Sequence, residues 1–152
     1  MRMDAVDRKI LAELQRDGRQ SLTDLAARVQ LSLSPTHRRV RELELSGAIR
    51  GYRAIVDPEA LGLTFEALVF VTLRQEDRDT LLAFERAVTE IPNVLLAQRL
   101  FGDPDYILRI VTADLNAYAQ LEDDVLSTLP GVQRLNSTLV MKRIVDERPL
   151  PT

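Results

Sequence analysis

The chain has 152 residues, 45% of them hydrophobic and 28% charged, enough to build one core or two small ones and too apolar for a disordered segment. It has no cysteine, which excludes a disulfide framework and thiolate metal sites, and a single histidine, His37. The longest apolar stretch, "ALVFVTL" at 67–73, is far too short for a bilayer, and the start from Met1 to Asp7 is polar, so a cytoplasmic protein without a membrane partner is expected.

The net charge of −3 is unevenly spread: up to residue 57 there are 11 Lys and Arg against 8 Asp and Glu, and beyond it 9 against 15. The +3 and −6 halves suggest a small domain for a polyanion joined to one with another task. Asp4 and Asp7 open the first helical pattern, with Val6, Ile10 and Leu14 at four-residue spacing and Gly18 placed as its C-cap. Ser21 starts a second helix, with Asp24 as its capping-box partner and Leu22, Leu25, Ala26 and Val29 as the buried face. A third helix is expected from Ser34 as N-cap, with Pro35 at the first helical position, to Gly47.

At about 100° per residue, Thr36, Val40 and Leu43 of that helix form one narrow inward stripe. Ser34, Arg38, Arg41 and Leu45 point the opposite way, with His37 to one side and Arg39 at the edge of the buried stripe. Guanidinium groups on such a face can read guanine edges and grip phosphates, so helix, turn and helix are read as a DNA-binding helix-turn-helix. The plainer alternative is a three-helix bundle whose arginines pair with Glu42 and Glu44, each pair worth only about 0.3–0.5 kcal/mol. "AIRGYRAIVD" reads as a short β wing bringing Arg50 and Arg53 to the DNA backbone. Pro58 and "LGL" at 61–63 mark the domain boundary, giving 1–62 as a winged DNA-binding domain with its linker and 63–152 as the second domain.

The second half reads as β-α-β-β-α-β: strands at 66–74, 94–101, 105–111 and 132–145, helices at 79–91 and 114–129. "EIPNV" at 90–94 and "TLPGV" at 128–132 echo each other 38 positions apart, as expected for a ferredoxin-like sheet with both helices on one face. The other face keeps apolar side chains, and a second copy of the sheet is its simplest cover. That gives a two-fold dimer able to read a palindromic site. "RLFGDPDY" at 99–106 reads as a tight hairpin of good turn formers or as a site for a cation or an amino group.

"DAVDRKILAELQRDGRQSLTDLAARVQLS" (4–32), "RRVRELELSGAIRGYRAIVDPEALG" (38–62) and "FGDPDY" (101–106) together resemble the Lrp/AsnC (feast/famine) transcription regulators over nearly the whole chain. The resemblance implies an α+β architecture: an N-terminal winged helix-turn-helix followed by a ferredoxin-like βαββαβ effector (RAM) domain. It also implies homodimers that assemble to tetramers or octamers, with a small amino-acid effector where effector domains meet and no cofactor. The implied DNA-contacting residues are Ser34, Pro35, His37, Arg38 and Arg41, with Arg39 bracing the helix. Gly102 and Asp105 of the "G..D" loop, with Asp103 between them, would line the effector cleft. Leu135 and Ser137 stand where relatives often carry Thr-x-Thr, so one hydroxyl is replaced by an aliphatic group and a more apolar ligand side chain is expected.

Two other readings compete. The sirohaem decarboxylases, similar to this family, use histidines in the cleft for catalysis. Here the one histidine lies on the third helix and no base partner for Asp103 or Asp105 is apparent, so no enzymatic activity and no metal site are expected. An amino-acid sensor without DNA binding is disfavoured by the intact arginines and caps.

Overall fold

The computed structural model describes residues 3–152; the polar start read at Met1 and Arg2 lies outside the described residues. The chain divides into two compact units, one up to Ile55 together with Ile144–Thr152, the other Val56–Arg143. The expected boundary after residue 62 thus falls inside the second unit, and the tail expected with the sheet belongs to the first. Side-chain bonds explain the tail: the Gln15 amide exchanges hydrogen bonds with the Leu150 backbone (N–H···Oε1 2.7 Å, Nε2–H···O 3.2 Å), and Arg53 pairs with Glu147 at 3.2 Å.

In the first unit, helix α1 spans Ala5–Arg16, α2 Leu22–Val29 and α3 Leu33–Leu45. Asp4 and Asp7 form a reciprocal capping box at the start of α1, and Ser21 caps α2 by accepting from the Asp24 N–H. Ile10, Leu25, Val29, Val40 and Leu43 close the core. Buried Thr36 donates its hydroxyl to the Ser32 carbonyl at 2.9 Å.

Three expectations need correction. Gly18 is not a left-handed cap; α1 ends on extended Asp17, and Gly18 leaves room for Tyr52, whose Cδ1 lies 3.4 Å from where a Cβ would be. The third helix starts two residues earlier than expected, with Ser32 as N-cap and Pro35 in the third helical position. Proline is tolerated there because first-turn N–H groups have no intrahelical acceptor, and its missing N–H is one reason the Ser32 side chain makes no cap bond. No β wing forms among the described residues: 50–57 is exposed and without strand structure, because an extended segment without a ladder partner is not a strand.

The second unit contains β1 (Phe65–Leu73), α4 (Arg78–Thr89), β2 (Val94–Arg99), β3 (Tyr106–Thr112), α5 (Leu115–Asp124) and β4 (Val132–Leu139). The sheet order is β2-β3-β1-β4 with every pair antiparallel, the ferredoxin-like arrangement read from the repeated halves. Ala67, Val69, Val71, Leu108 and Ile110 are fully buried beneath Phe84, Val88, Tyr118 and Leu126. Period-two alternation puts Leu68, Phe70 and Ile107 on the opposite face, where they are half-buried. Strand β4 ends at Leu139, short of the expected 145, and α5 gives way after Asp124 to a 3-10 turn over Leu126–Thr128.

Candidate DNA-binding surface and ligand site

Helix α3 turns Ser34, His37, Arg38 and Arg41 to solvent, with Pro35 half-buried. Buried Thr36, Val40 and Leu43 fix that orientation, so the outward set follows from the same period that builds the core. Arg38 pairs loosely with Glu42 at 3.4 Å, with 68% and 53% of the side chains exposed, a contact easily exchanged for a phosphate. Arg41 makes no ion pair among the described residues, and the Glu44 carboxylate accepts from the Tyr52 hydroxyl at 3.0 Å.

Arg39 braces the helix. Its Nη1 donates to Asp7 Oδ1 at 2.7 Å and to Asp4 Oδ2 at 2.8 Å, tying α3 to the capping box of α1. The Asp7 backbone N–H, followed by the Arg39 guanidinium, holds the Asp4 carboxyl below its usual range; the two carboxylates hold the Arg39 proton more tightly still. Arg50 is exposed, and Arg53, 80% exposed, has Glu147 as its one ion-pair partner among the described residues.

The five predicted effector residues fall into two groups on either side of β1. Gly102, at φ +134°, and Asp103 are exposed in the β2–β3 connection, where the Asp103–Pro104 peptide is cis. Asp105 is buried: its Oδ2 accepts the Leu73 N–H at 2.7 Å, while its backbone N–H donates to Val71 O at 3.0 Å. On β4, Leu135 and Ser137 register against Val71 and Val69 and so point to the helix-covered face. Leu135 packs on the core, and Ser137 Oγ donates to Glu122 Oε2 at 2.9 Å and shares a short hydrogen bond with the Tyr118 hydroxyl.

Three neighbours were missed from sequence. Tyr118 and Glu122 stand one turn apart on α5, a spacing that marks a shared face but not which strand lies under it. Burial pushes the Tyr118 hydroxyl up to about 12, so it stays protonated. Asp105, through hydrogen bonding first and its negative charge second, holds the Glu76 carboxyl above the ordinary value, against the pull of Arg99. One hollow in each unit measures about 320 Å³ (beside Asp57, Thr64, Glu66 and Arg143) and about 440 Å³ (beside Gly18, His37, Arg41 and Tyr52), and neither of these is lined by the predicted effector residues. Among the described residues no cluster of three or more His, Asp or Glu is placed to hold a metal, and no helix is long and apolar enough to cross a membrane.

A helix-turn-helix with one unpaired and one loosely paired arginine on the outward face of its third helix, on one chain with a four-stranded α+β domain, defines a two-domain DNA-binding regulator. Residues 3–50 match the family described as winged helix-turn-helix DNA-binding, and residues 66–150 the Lrp/AsnC ligand binding domain. The chain is 41% identical over 143 residues to the Bkd operon transcriptional regulator of Pseudomonas aeruginosa, covering 94% of each. It is 37% identical to the leucine-responsive regulatory protein of Escherichia coli, covering 93% of this chain and 87% of that one. A transcriptional regulator from Neisseria meningitidis, solved as a complex with L-Met, superposes with a TM-score of 0.94 at 36% identity, covering 99% of this chain and 97% of that one. The chain belongs to the Lrp/AsnC family: it is a DNA-binding transcriptional regulator whose second domain is a ligand-binding one.

Proposed function

We propose that the protein acts in the cytoplasm as a non-catalytic, homo-oligomeric switch on palindromic operator DNA. Dimers form through the uncovered sheet face and assemble to tetramers or octamers. The observation that carries the reading is the division of labour on α3: Arg39 is locked to Asp4 and Asp7, whereas Arg41 is unpaired and Arg38 only loosely held. Ser34, Pro35, His37, Arg38 and Arg41 read the groove, and Arg50 and Arg53 add backbone contacts from the following segment. A small amino acid, bound where ligand domains meet and near Gly102, Asp103, Asp105, Leu135 and Ser137, biases the assembly. This changes how many recognition helices engage together, with a coupling of about 1–3 kcal/mol. The neighbour solved with L-Met supports an amino acid as ligand class.

Gel shifts on the promoter region of the protein's own gene, repeated across a salt series, test the DNA half. Affinity should fall steeply with salt through counterion release. Arg41→Ala should cost about 1–3 kcal/mol if the guanidinium is bidentate to a base. A flat salt response, or an Arg41→Ala protein that binds like the parent, refutes the reading.

A further inference from the structure

Glu44 follows Arg41 by three residues on α3, a spacing at which a carboxylate and a guanidinium meet on a helix surface. One register earlier, at four-residue spacing, Arg38 and Glu42 do meet, at 3.4 Å. Arg41 and Glu44 do not; instead Tyr52, beyond the end of the helix, reaches back and donates its hydroxyl to Glu44 Oε1 at 3.0 Å. The ring lies against Gly18 and lines the same hollow as His37, Arg41 and Glu44.

We infer that Tyr52 is a positioning residue for DNA binding: by holding the Glu44 carboxylate, it keeps the Arg41 guanidinium free for the duplex. This rests on the reading of α3 as the DNA-reading helix. Burial pushes the Tyr52 hydroxyl up to about 12, so the donor keeps its proton throughout the ordinary pH range. Removing only the hydroxyl leaves the ring against Gly18 and releases the carboxylate. Glu44 is then available to Arg41, three residues earlier on the helix, and DNA must break that pair before it can use the guanidinium.

The experiment compares the full-length parent with Tyr52→Phe, Glu44→Gln and the double variant, all on one DNA fragment that the parent binds. Tyr52→Phe should weaken binding by about twofold for each recognition helix, the size of one exposed helix ion pair. For a site read by two helices this becomes about three- to fivefold. On the Glu44→Gln background, Tyr52→Phe should change nothing, since no carboxylate remains to be released. Without DNA, the Arg41 Nε–H resonance should move in Tyr52→Phe and return in the double variant. Equal weakening on both backgrounds would show that Tyr52 acts by packing alone and overturns the inference, as does an unmoved Arg41 resonance. If the resonance moves but no variant alters DNA affinity, the pairing is right and the assignment of α3 as the reading helix is wrong.

Discussion

Replacing Asp105 with Ala and, separately, with Asn divides the hydrogen bond its carboxylate makes inside the protomer from the charge it would offer a bound ammonium group. Asp105 is 9% exposed and accepts the Leu73 N–H at 2.7 Å, joining the start of β3 to the end of β1. Alanine leaves that N–H without its acceptor, and a hydrogen bond to a charged partner is worth about 1.5–3 kcal/mol. The backbone bonds from Asp105 N to Val71 O and from Leu100 N to Asp105 O survive the change, so a loss of about 2 kcal/mol is expected. For a domain of this size, that lowers Tm by roughly 8–16 °C. Asparagine offers its carbonyl oxygen at the same place, so its cost should stay below about 1 kcal/mol.

The Asp105→Asn variant also removes the carboxylate whose hydrogen bonding and charge raise Glu76. In the parent, folded Glu76 holds its proton above the ordinary 4.5, so its contribution to stability falls as pH rises from there through the raised value. In the variant that slope should vanish. Scanning calorimetry across a pH series, with a titration of the Glu76 carboxyl resonance, checks both points. Two variants equally destabilised would refute the hydrogen-bond account. An Asp105→Asn protein that keeps its full affinity for an amino acid would refute Asp105 as the ammonium partner.

Gly131→Ala should destabilise the second unit by about 2–4 kcal/mol in chemical denaturation, because φ is +73° and a Cβ would stand 2.3 Å from Thr80 Cγ2. Adding Thr80→Ser removes that methyl and should recover the steric part only. Asp77 caps α4 by accepting from Thr80, which holds its carboxyl below the ordinary 3.8, so this contribution is present above 3.8 and is lost as pH falls through the lowered value. Asp77→Asn, still a good N-cap, should keep the helix while flattening that acid limb in circular dichroism.

Most elements are legible from periodicity because each is built on its own apolar stripe. Ile10 with Leu14, and Leu25 with Val29, point inward for the same reason that they recur. Failures came where the deciding partner is distant or where two local rules agree. Ser32 and Ser34 both fit an N-cap, and a proline in the first turn fits either, so α3 began two residues early. The segment after Ile49 has the composition of a strand, but a strand is a pairing, and composition does not name a partner. The outward arginines were legible because one helical wheel decides them. That Glu44 belongs to Tyr52 rather than Arg41 was not, since both spacings are allowed and only the returning chain chooses.

The two candidate sites differ in what remains available to a ligand, and that difference points to assembly. Among the described residues no buried side-chain polar atom lacks a hydrogen-bond partner. Asp105 is held by the Leu73 N–H, and Ser137 by Tyr118 and Glu122. Only the exposed Gly102 and Asp103 loop offers open groups, and Leu135 is already packed on the core. On the proposed reading, one copy presents part of the site, and groups from a second copy enclose the amino acid. Binding should then depend on protein concentration: calorimetry below the assembly concentration, set by sedimentation, should show affinity falling at least tenfold, the lower half of the usual coupling range of about 1–3 kcal/mol. A monomer that binds the amino acid as tightly as the assembled protein would place the whole site within one chain and remove the link from ligand to operator.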